Sequence, residues 1–555
     1  MAVGLRSSSL GSFSPTALIV STSLASRLVV FRSPKKDGCS MLHQLKKLPL
    51  SFNFFLRHIS DATSWISSNS IFQCQPRLIL LERCQSLQDL QQILSYIIVS
   101  GLFHNPFVAS RVLHTCITAG WPDVTSATVV FNQMKRPNLF SWNTMIRALA
   151  RQEYHRSAVL LYAEMLRRGV LPDKYTLPFL LESCLGDTDI HLGRLIHAHA
   201  VILGLISDPF VQTQLLIMYF TCGCSACGVH LFNEMPYRDV VSWTALISGL
   251  VRQGCNAEAL KMLNDMRIRS SNATPNVATM VSALSACVNL WSLVHTRGLH
   301  AYLEKVGLVG EVFIGNSLID AYSKCGSFAC ATKMFDGMMR KDLHSWTAMI
   351  TCLASHGYGG EALYLFSRMV QSDILPDSVT FVAVLSACSH VGLVDEGIQL
   401  FDCMERVYRI TPDLKHYGCM VDLFSRAGLL NCAYEFILSM PMEPNLAILG
   451  SLLSACRVHN ENGLAKVVAK KIESTCVHVG GSHVLLSNIY ANECKWHEVV
   501  SIRKATRGDE NKPPGQSFIE VGGIVHEFIV DDKLHPFAWE MQLVLDRMGK
   551  LMEGS

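Results

Sequence analysis

The phrase Ser141-Trp142-Asn143-Thr144-Met145-Ile146 returns as Ser242-Trp243-Thr244-Ala245-Leu246-Ile247 and again as Ser345-Trp346-Thr347-Ala348-Met349-Ile350. Self-similarity at a fixed period constrains the fold more than any single motif, because each copy must be one structural unit. Behind each tryptophan, apolar residues recur at the same helical offsets: Met145, Ile146 and Leu149; Leu246, Ile247 and Leu250; Met349, Ile350 and Leu353. That spacing marks one face of a helix. A second helix follows each time, carried by Ala158, Leu161, Tyr162 and Met165, by Ala259, Met262, Leu263 and Met266, and by Ala362, Leu365, Phe366 and Met369. In the first copy Gly169 supplies a left-handed stop and Pro172 prevents resumption. A helix pair of about 35 residues cannot bury its apolar faces alone and must stack on its neighbours, so the expected fold class is an all-α solenoid.

Composition narrows the setting. No apolar run reaches the roughly 18 residues of a membrane span, since Arg27 interrupts the best candidate, so no membrane partner is expected. The cysteines fall inside helices at equivalent points, as at Cys184, Cys287 and Cys388, and read as reduced, buried apolar residues. Residues 1–73 are rich in serine and carry eight basic residues against two acids, a composition that fits an organelle transit peptide and leader. The alternative is a disordered tail with Met41 as a second start. Of the formal net charge of +3, this segment supplies +6 and the remainder −3. Bulk charge therefore does not announce a nucleic-acid binder, and such a claim needs placed residues.

The repeats fall into three interleaved classes. The first recognisable repeat spans 74–104, with Leu80, Leu81 and Cys84 assigned to its first helix. A short class covers 106–138, 209–239 and 312–342; the Ser-Trp class covers 139–173, 240–276 and 343–377; a long class covers 174–208, 277–311 and 378–413, with Leu181-Glu-Ser-Cys184, Leu284-Ser-Ala-Cys287 and Leu385-Ser-Ala-Cys388. This alternation resembles a plant pentatricopeptide repeat protein of the PLS type, over roughly residue 74 to the C-terminus. Tetratricopeptide arrays are also helix pairs, but their Trp-Leu-Gly and Pro signature does not fit these repeats. The resemblance implies a right-handed superhelical α-solenoid of helix-turn-helix repeats that binds single-stranded RNA.

In each short or Ser-Trp repeat the fifth residue is small and polar and the last is Asp or Asn. The pairs are Ser110 with Asn138, Asn143 with Asp173, Thr213 with Asp239, Thr244 with Asn276, Asn316 with Asp342, and Thr347 with Asp377. Stacking would align them along one groove, which suits one base per repeat. A terminal carboxylate can accept the ring N–H of guanine or uracil, and an Asn amide can donate to adenine; a short fifth residue leaves room for a purine, while Asn suits a pyrimidine. The resemblance implies the same code: Thr or Ser with Asn for A, Thr with Asp for G, Asn with Asp for U. The second residues, Phe107, Phe140, Phe210, Val241, Phe313 and His344, are the expected base-stacking positions. The plainer readings are inter-repeat packing for these and helix capping or turn formation for the polar pairs.

Beyond the long repeat the text changes. Residues 414–445 resemble the family's final short repeat, so the repeat array is placed at 74–445; Gly418 stands at its reading position. Residues 446–507 resemble the E motifs, helix pairs closer to tetratricopeptide repeats and suited to binding protein. Residues 508–555 resemble the E+ extension, with strands Ser517 to Val521 and Ile524 to Val530 around Gly522-Gly523, then a terminal helix; Gln516 and Phe518 replace the usual Cys and Trp. A zinc deaminase combines His-x-Glu with Pro-Cys-x-x-Cys, and neither string is expected in this chain. His526-Glu527 is adjacent rather than spaced, and Cys222, Cys224 and Cys227 have no partnering pair, so neither catalytic nor metal-binding residues nor a cofactor are expected.

The expected function is recognition of sites for organellar C-to-U RNA editing, without enzymatic activity. A DYW-type cytidine deaminase would act in trans, recruited with other editing factors through the E and E+ regions. The Met-Ala start and serine-rich leader lean to the chloroplast, with the mitochondrion as alternative. A stabilisation, processing or translation factor that never edits, and a peptide-binding scaffold, are the competing readings.

Overall fold

The computed structural model describes Leu81, Cys84 and residues 87–118, 124–187, 189–269, 273–475, 487–488, 490–491, 495–506, 516–521, 524–529 and 536–553. The leader expected at 1–73, the Gly522-Gly523 turn and much of 476–494 lie outside them. Among the described residues, the chain is an α-solenoid of antiparallel helix pairs with one two-stranded antiparallel sheet near the C-terminus. They fall into two compact parts, divided between Val211 and Gln212.

The Ser-Trp helices are Leu139–Arg151 in the first part and Val240–Arg252 and Leu343–Ser355 in the second. Each expected apolar stripe is buried: Trp142, Met145, Ile146 and Leu149; Trp243, Leu246, Ile247 and Leu250; Trp346, Met349, Ile350 and Leu353. The partner helices are His155–Arg167, Asn256–Arg269 and Gly359–Gln371. Helix His155–Arg167 is followed by Gly169 at φ 73°, the left-handed stop that the sequence required. Within the second part, successive first helices pack side by side, Val312–Lys324 on Leu343–Ser355, and that on Ser378–Val391.

The tryptophans fix how one repeat meets the one before. Trp142 stands edge-on to Phe131, ring centroids 4.9 Å apart; Trp243 meets Phe232 at 4.7 Å and Trp346 meets Phe335 at 5.2 Å. Each phenylalanine lies on the second helix of the preceding short repeat. Edge-to-face pairs at this range are a favoured aromatic geometry.

The expected first helix at Leu80, Leu81 and Cys84 is corrected in part. Cys84 lies outside any helix, and the described helix nearby is Leu87–Val99; the surrounding residues are not described. The cysteine reading holds for Cys184, Cys287 and Cys388, which are fully buried. Burial pushes the Cys287 thiol up to about 12 and the Cys388 thiol up to about 11. It fails for Cys222, Cys224 and Cys227, which are only partly buried, the first two in the turn between the helices of their repeat and the third in the first turn of helix Ser225–Glu234.

The hairpin has strands β1 (Gln516–Val521) and β2 (Ile524–Ile529), closed by the pair Val521 and Ile524. It folds back on the long repeat 277–311. The Glu520 carboxylate accepts the Leu293 N–H at 2.7 Å and the Ser292 hydroxyl and Val294 N–H at 3.3 Å each, at the start of helix Leu293–Val306. Phe518 lies parallel to Trp291, centroids 6.0 Å apart. A carboxylate at a helix N-terminus satisfies otherwise orphaned amides.

Two outcomes follow. A methyl group on Gly249 would overlap the buried Phe220 ring, so Gly249→Ala should cost about 1–3 kcal/mol. Since repeats couple mainly to their neighbours, hydrogen exchange should quicken in helices 209–221 and 240–252 and stay unchanged in 446–458. Iodoacetamide at pH 8 should alkylate exposed Cys432 while sparing Cys287 and Cys388, which mass spectrometry of the digested native protein reads directly.

Candidate nucleic-acid interface

Every last residue of a short or Ser-Trp repeat accepts the N–H three residues on, at the start of the next helix. Asn138 Oδ1 accepts the Ser141 N–H at 2.9 Å and Asp173 Oδ1 accepts the Thr176 N–H at 2.9 Å, both in the first part. In the second part, Asp239 takes Ser242 N–H at 2.8 Å, Asn276 takes Thr279 N–H at 2.9 Å, Asp342 takes Ser345 N–H at 2.8 Å and Asp377 takes Thr380 N–H at 2.8 Å. The capping reading of these residues is therefore correct, and it accounts for one oxygen only. Among the described residues, Oδ2 of each Asp and Nδ2 of each Asn make no bond to the protein.

Four of the six expected partners come together with these caps. Asn143 Nδ2 donates to Asp173 Oδ1 at 3.0 Å, and Asn316 Nδ2 to Asp342 Oδ1 at 3.1 Å. Thr244 and Thr347 reach their caps indirectly: Thr244 Oγ1 lies 2.7 Å from Thr279 Oγ1, which is 2.9 Å from Asn276 Oδ1, and Thr347 Oγ1 lies 2.8 Å from Thr380 Oγ1, which is 2.8 Å from Asp377 Oδ1. Ser110 turns its hydroxyl back to the Phe107 carbonyl at 2.7 Å. Ser110, Asn143, Thr213 and Thr347 are buried while most of the caps are half-buried, so the fifth residue forms the floor of each position and the cap its wall.

Second residues stand in the open. Phe140 is 42% exposed, Phe210 43%, Val241 59% and Phe313 67%; His344 is exposed and Phe107 half-buried. The inter-repeat core reading does not hold for the five exposed ones. Tyr175, at the same position of a long repeat, is also exposed and lies 6.3 Å from Phe210, ring to ring; the sequence reading left it out because long repeats lack the polar pair. The hydroxyls of Ser141, Thr176, Ser242, Thr279, Ser345 and Thr380 were missed as well. Their signal was in view, a Ser or Thr two residues before each fifth residue or its counterpart.

Asp342 is held by three hydrogen bonds to Oδ1. Burial alone would raise its pKa, but hydrogen bonds from Ser345 and Asn316, with His344 nearby, outweigh it and leave the carboxyl below its ordinary value. Asp413, capping helix Leu414–Arg426, is likewise lowered: bonds from His416 and Lys415 and the His416 charge outweigh its burial.

No three metal-ligating side chains meet among the described residues. A His-x-Glu string does occur, His459-Asn460-Glu461, which the sequence reading passed over; it sits in the turn after helix Leu446–Val458, with Asn460 at φ 59°. No described helix is long and apolar enough to cross a membrane.

Comparison with known proteins decides the family. The PPR repeat family matches at 137–185, 238–289 and 341–390, and the PPR repeat at 316–343 and 379–407. A chloroplastic/mitochondrial pentatricopeptide repeat-containing protein of Arabidopsis thaliana is 38% identical, over 86% of this chain and 77% of its own length. The chain belongs to the pentatricopeptide repeat family. Another Arabidopsis thaliana member, the chloroplastic CRR2, is 34% identical over 84% of this chain and 72% of its own. Maize PPR10 in crystal shares the fold at TM-score 0.60 and 18% identity, covering 79% of this chain and 65% of PPR10. PPR10 bound to an 18-nt psaJ RNA element matches at TM-score 0.63 and 17% identity, over 89% of this chain and 71% of PPR10.

The Asp342 network fixes a sign for pH. Its folded pKa is below the unfolded value of about 3.9, so its stabilising contribution is complete above about pH 4 and is lost as pH falls through the folded value. Carboxyl NMR of selectively labelled protein should place the Asp342 midpoint below that of an unstructured aspartate, and Asn316→Ala should raise it. An Asp342 midpoint at the ordinary value would contradict the network.

Proposed function

We propose that this protein is a site-recognition factor for organellar C-to-U RNA editing. Its repeats read single-stranded RNA, and a DYW-type cytidine deaminase and other editing factors are recruited in trans through residues 446–555. The observation that carries the reading is the division of labour in the caps: Oδ1 serves the helix, and an acceptor in Asp or a donor in Asn is left for a base edge. Pairing with a small buried fifth residue, and a row of exposed apolar second residues on which bases can stack, support it. So does the complex that PPR10 makes with an RNA element.

The array is of the PLS type, with a repeat region 74–445, E motifs 446–507 and an E+ extension 508–555. Ser110, Asn138, Asn143, Asp173, Thr213, Asp239, Thr244, Asn276, Asn316, Asp342, Thr347 and Asp377 read bases; Phe107, Phe140, Phe210, Val241, Phe313 and His344 stack between them. With the last short repeat aligned at the fourth nucleotide upstream of the edited C, the family's register gives A and U at −13 and −12, G and A at −10 and −9, and U and G at −7 and −6. Gly418 offers no polar group, and Ile448 occupies the place of the bridging hydroxyl beside it, so the nucleotide at −4 goes unread. Exposed Ile519, Val521, Trp539, Val544 and Leu545 on the hairpin and terminal helix give apolar surface for a protein partner. The compartment is an organelle, the plastid favoured by the leader composition and the mitochondrion the alternative; relatives are described as chloroplastic or as chloroplastic/mitochondrial.

A survey of C-to-U conversion across plastid and mitochondrial transcripts in plants lacking the protein should show loss at one or two sites carrying that pattern. Intact editing with a changed transcript end or abundance would sink the editing role and leave an RNA stabiliser or processing factor. In vitro, Thr213→Asn should shift the preference at −10 from G to U by about tenfold or more, and binding should weaken with salt. Indifference to base identity at −10 in both proteins would favour a peptide-binding scaffold.

A further inference from the structure

The hydroxyls at the third position of the following repeat track the polar pairs. Ser141, Thr176, Ser242, Thr279, Ser345 and Thr380 each follow a repeat whose fifth residue is Ser, Thr or Asn. After the long repeats with Pro178, Val281 and Val382 at the fifth position, the third position holds Val211, Ile314 and His416, none of them a hydroxyl. After Gly418 it holds Ile448.

Capping alone does not explain this distribution. Asn445 caps helix Leu446–Val458 through the Ile448 N–H at 3.1 Å with no hydroxyl at that position. Asp208 accepts the Phe210 N–H at 2.9 Å with Val211 beside it. An amide at the helix start is served either way; Ser345, Thr380 and Thr176 also accept their cap's own N–H, a role that His416 fills after Val382, so what the hydroxyl adds beyond capping is a link to a polar fifth residue.

The hydrogen bonds show what that is. Thr176 Oγ1 donates to Asn143 Oδ1 at 2.7 Å and lies 2.9 Å from Asp173 Oδ1; Ser345 Oγ donates to Asn316 Oδ1 at 2.6 Å and lies 2.9 Å from Asp342 Oδ1. Holding Oδ1 of the fifth-position Asn turns its Nδ2 onto the cap, and the second N–H of that nitrogen is the one available to a ligand. Thr279 and Thr380 make the corresponding link between a threonine and its cap. Ser141 bonds its cap Asn138 alone, at 2.7 Å, and Ser242 turns to the Asp239 carbonyl at 2.9 Å. The link is thus complete in four repeats.

We propose that Thr176, Thr279, Ser345 and Thr380 are positioning residues for base discrimination: each hydroxyl orients the two reading side chains of the repeat before it. The specificity of one repeat is then set partly by its successor. This rests on the base-reading function proposed above.

The test uses the full chain and RNA probes differing only at −7. The unaltered protein should prefer U there over C, and Ser345→Ala should lower that U:C ratio by about two- to tenfold, the worth of one hydrogen bond, with the preferences at −6 and −9 unchanged. Ser345→Thr should restore it. Thr176→Val, read at −12, repeats the experiment at a second site should Ser345→Ala fold poorly. Equal weakening toward all four bases, or an unchanged U:C ratio, would overturn the proposal and leave the hydroxyls as structural. Absence of any base preference in the unaltered protein would overturn the base-reading function itself, a result visible before any substitution is made.

Discussion

The edge-on contact between each Ser-Trp tryptophan and the phenylalanine of the repeat before it is what makes a periodic sequence into a periodic structure. Each of these rings is almost fully buried, and removing a tryptophan-sized surface from water contributes about 4–6 kcal/mol. The indole N–H groups of Trp142, Trp243 and Trp346 have no partner among the described residues, at a cost of about 1–3 kcal/mol each. That the sequence keeps tryptophan three times despite an unpaired donor indicates that ring shape is what the interface requires. A flat ring fixes rotation as well as distance. Each Ser-Trp helix therefore starts at the same place relative to its predecessor, and its first five residues fall at equivalent positions.

Local chemistry then exploits that register. A helix start needs acceptors for its first amides, and the last residue of the preceding repeat provides one. Because that residue is Asp or Asn, the cap carries a second polar atom that the helix does not use. The fifth residue stands on the first helix of the same repeat, beside the start of the next helix in the stack, close enough for Asn143 to bond Asp173 and Asn316 to bond Asp342 directly. Stability and surface chemistry are built from the same side chain.

The period, the helix faces and the polar pairs were legible in the sequence because they depend on local spacing. Trp142, Ile146 and Tyr162 are buried where helical periodicity puts them, and β1 and β2 pair antiparallel as expected. The third-position hydroxyls were in plain view but were absorbed into a repeated phrase; only hydrogen-bond geometry separates Ser345, which bridges two side chains, from Ser317, which bonds the Phe313 carbonyl one turn behind it. The contact of Glu520 with the Leu293 amide was not legible at all. It joins residues far apart in the chain, and neither periodicity nor a neighbouring motif marks the partner. Tyr175 was missed because exposure at the second position is a property of the stacked array and not of the repeat class.

The caps also explain how such an array can vary its surface without losing its fold. Asp and Asn are about equally good N-caps, since both offer Oδ1 to the N3 amide. Asp377 and Asn276 make nearly the same bond, 2.8 and 2.9 Å, to the threonines that follow them. What differs is the outward atom, an acceptor in one and a donor in the other. Exchanging Asp for Asn at the end of a repeat inverts the hydrogen-bonding character presented to a ligand while leaving the helix start intact. Replacement by Ala would remove both functions at once. A scaffold in which the variable group is the far side of a structural one can change its specificity by single substitutions that the core hardly registers.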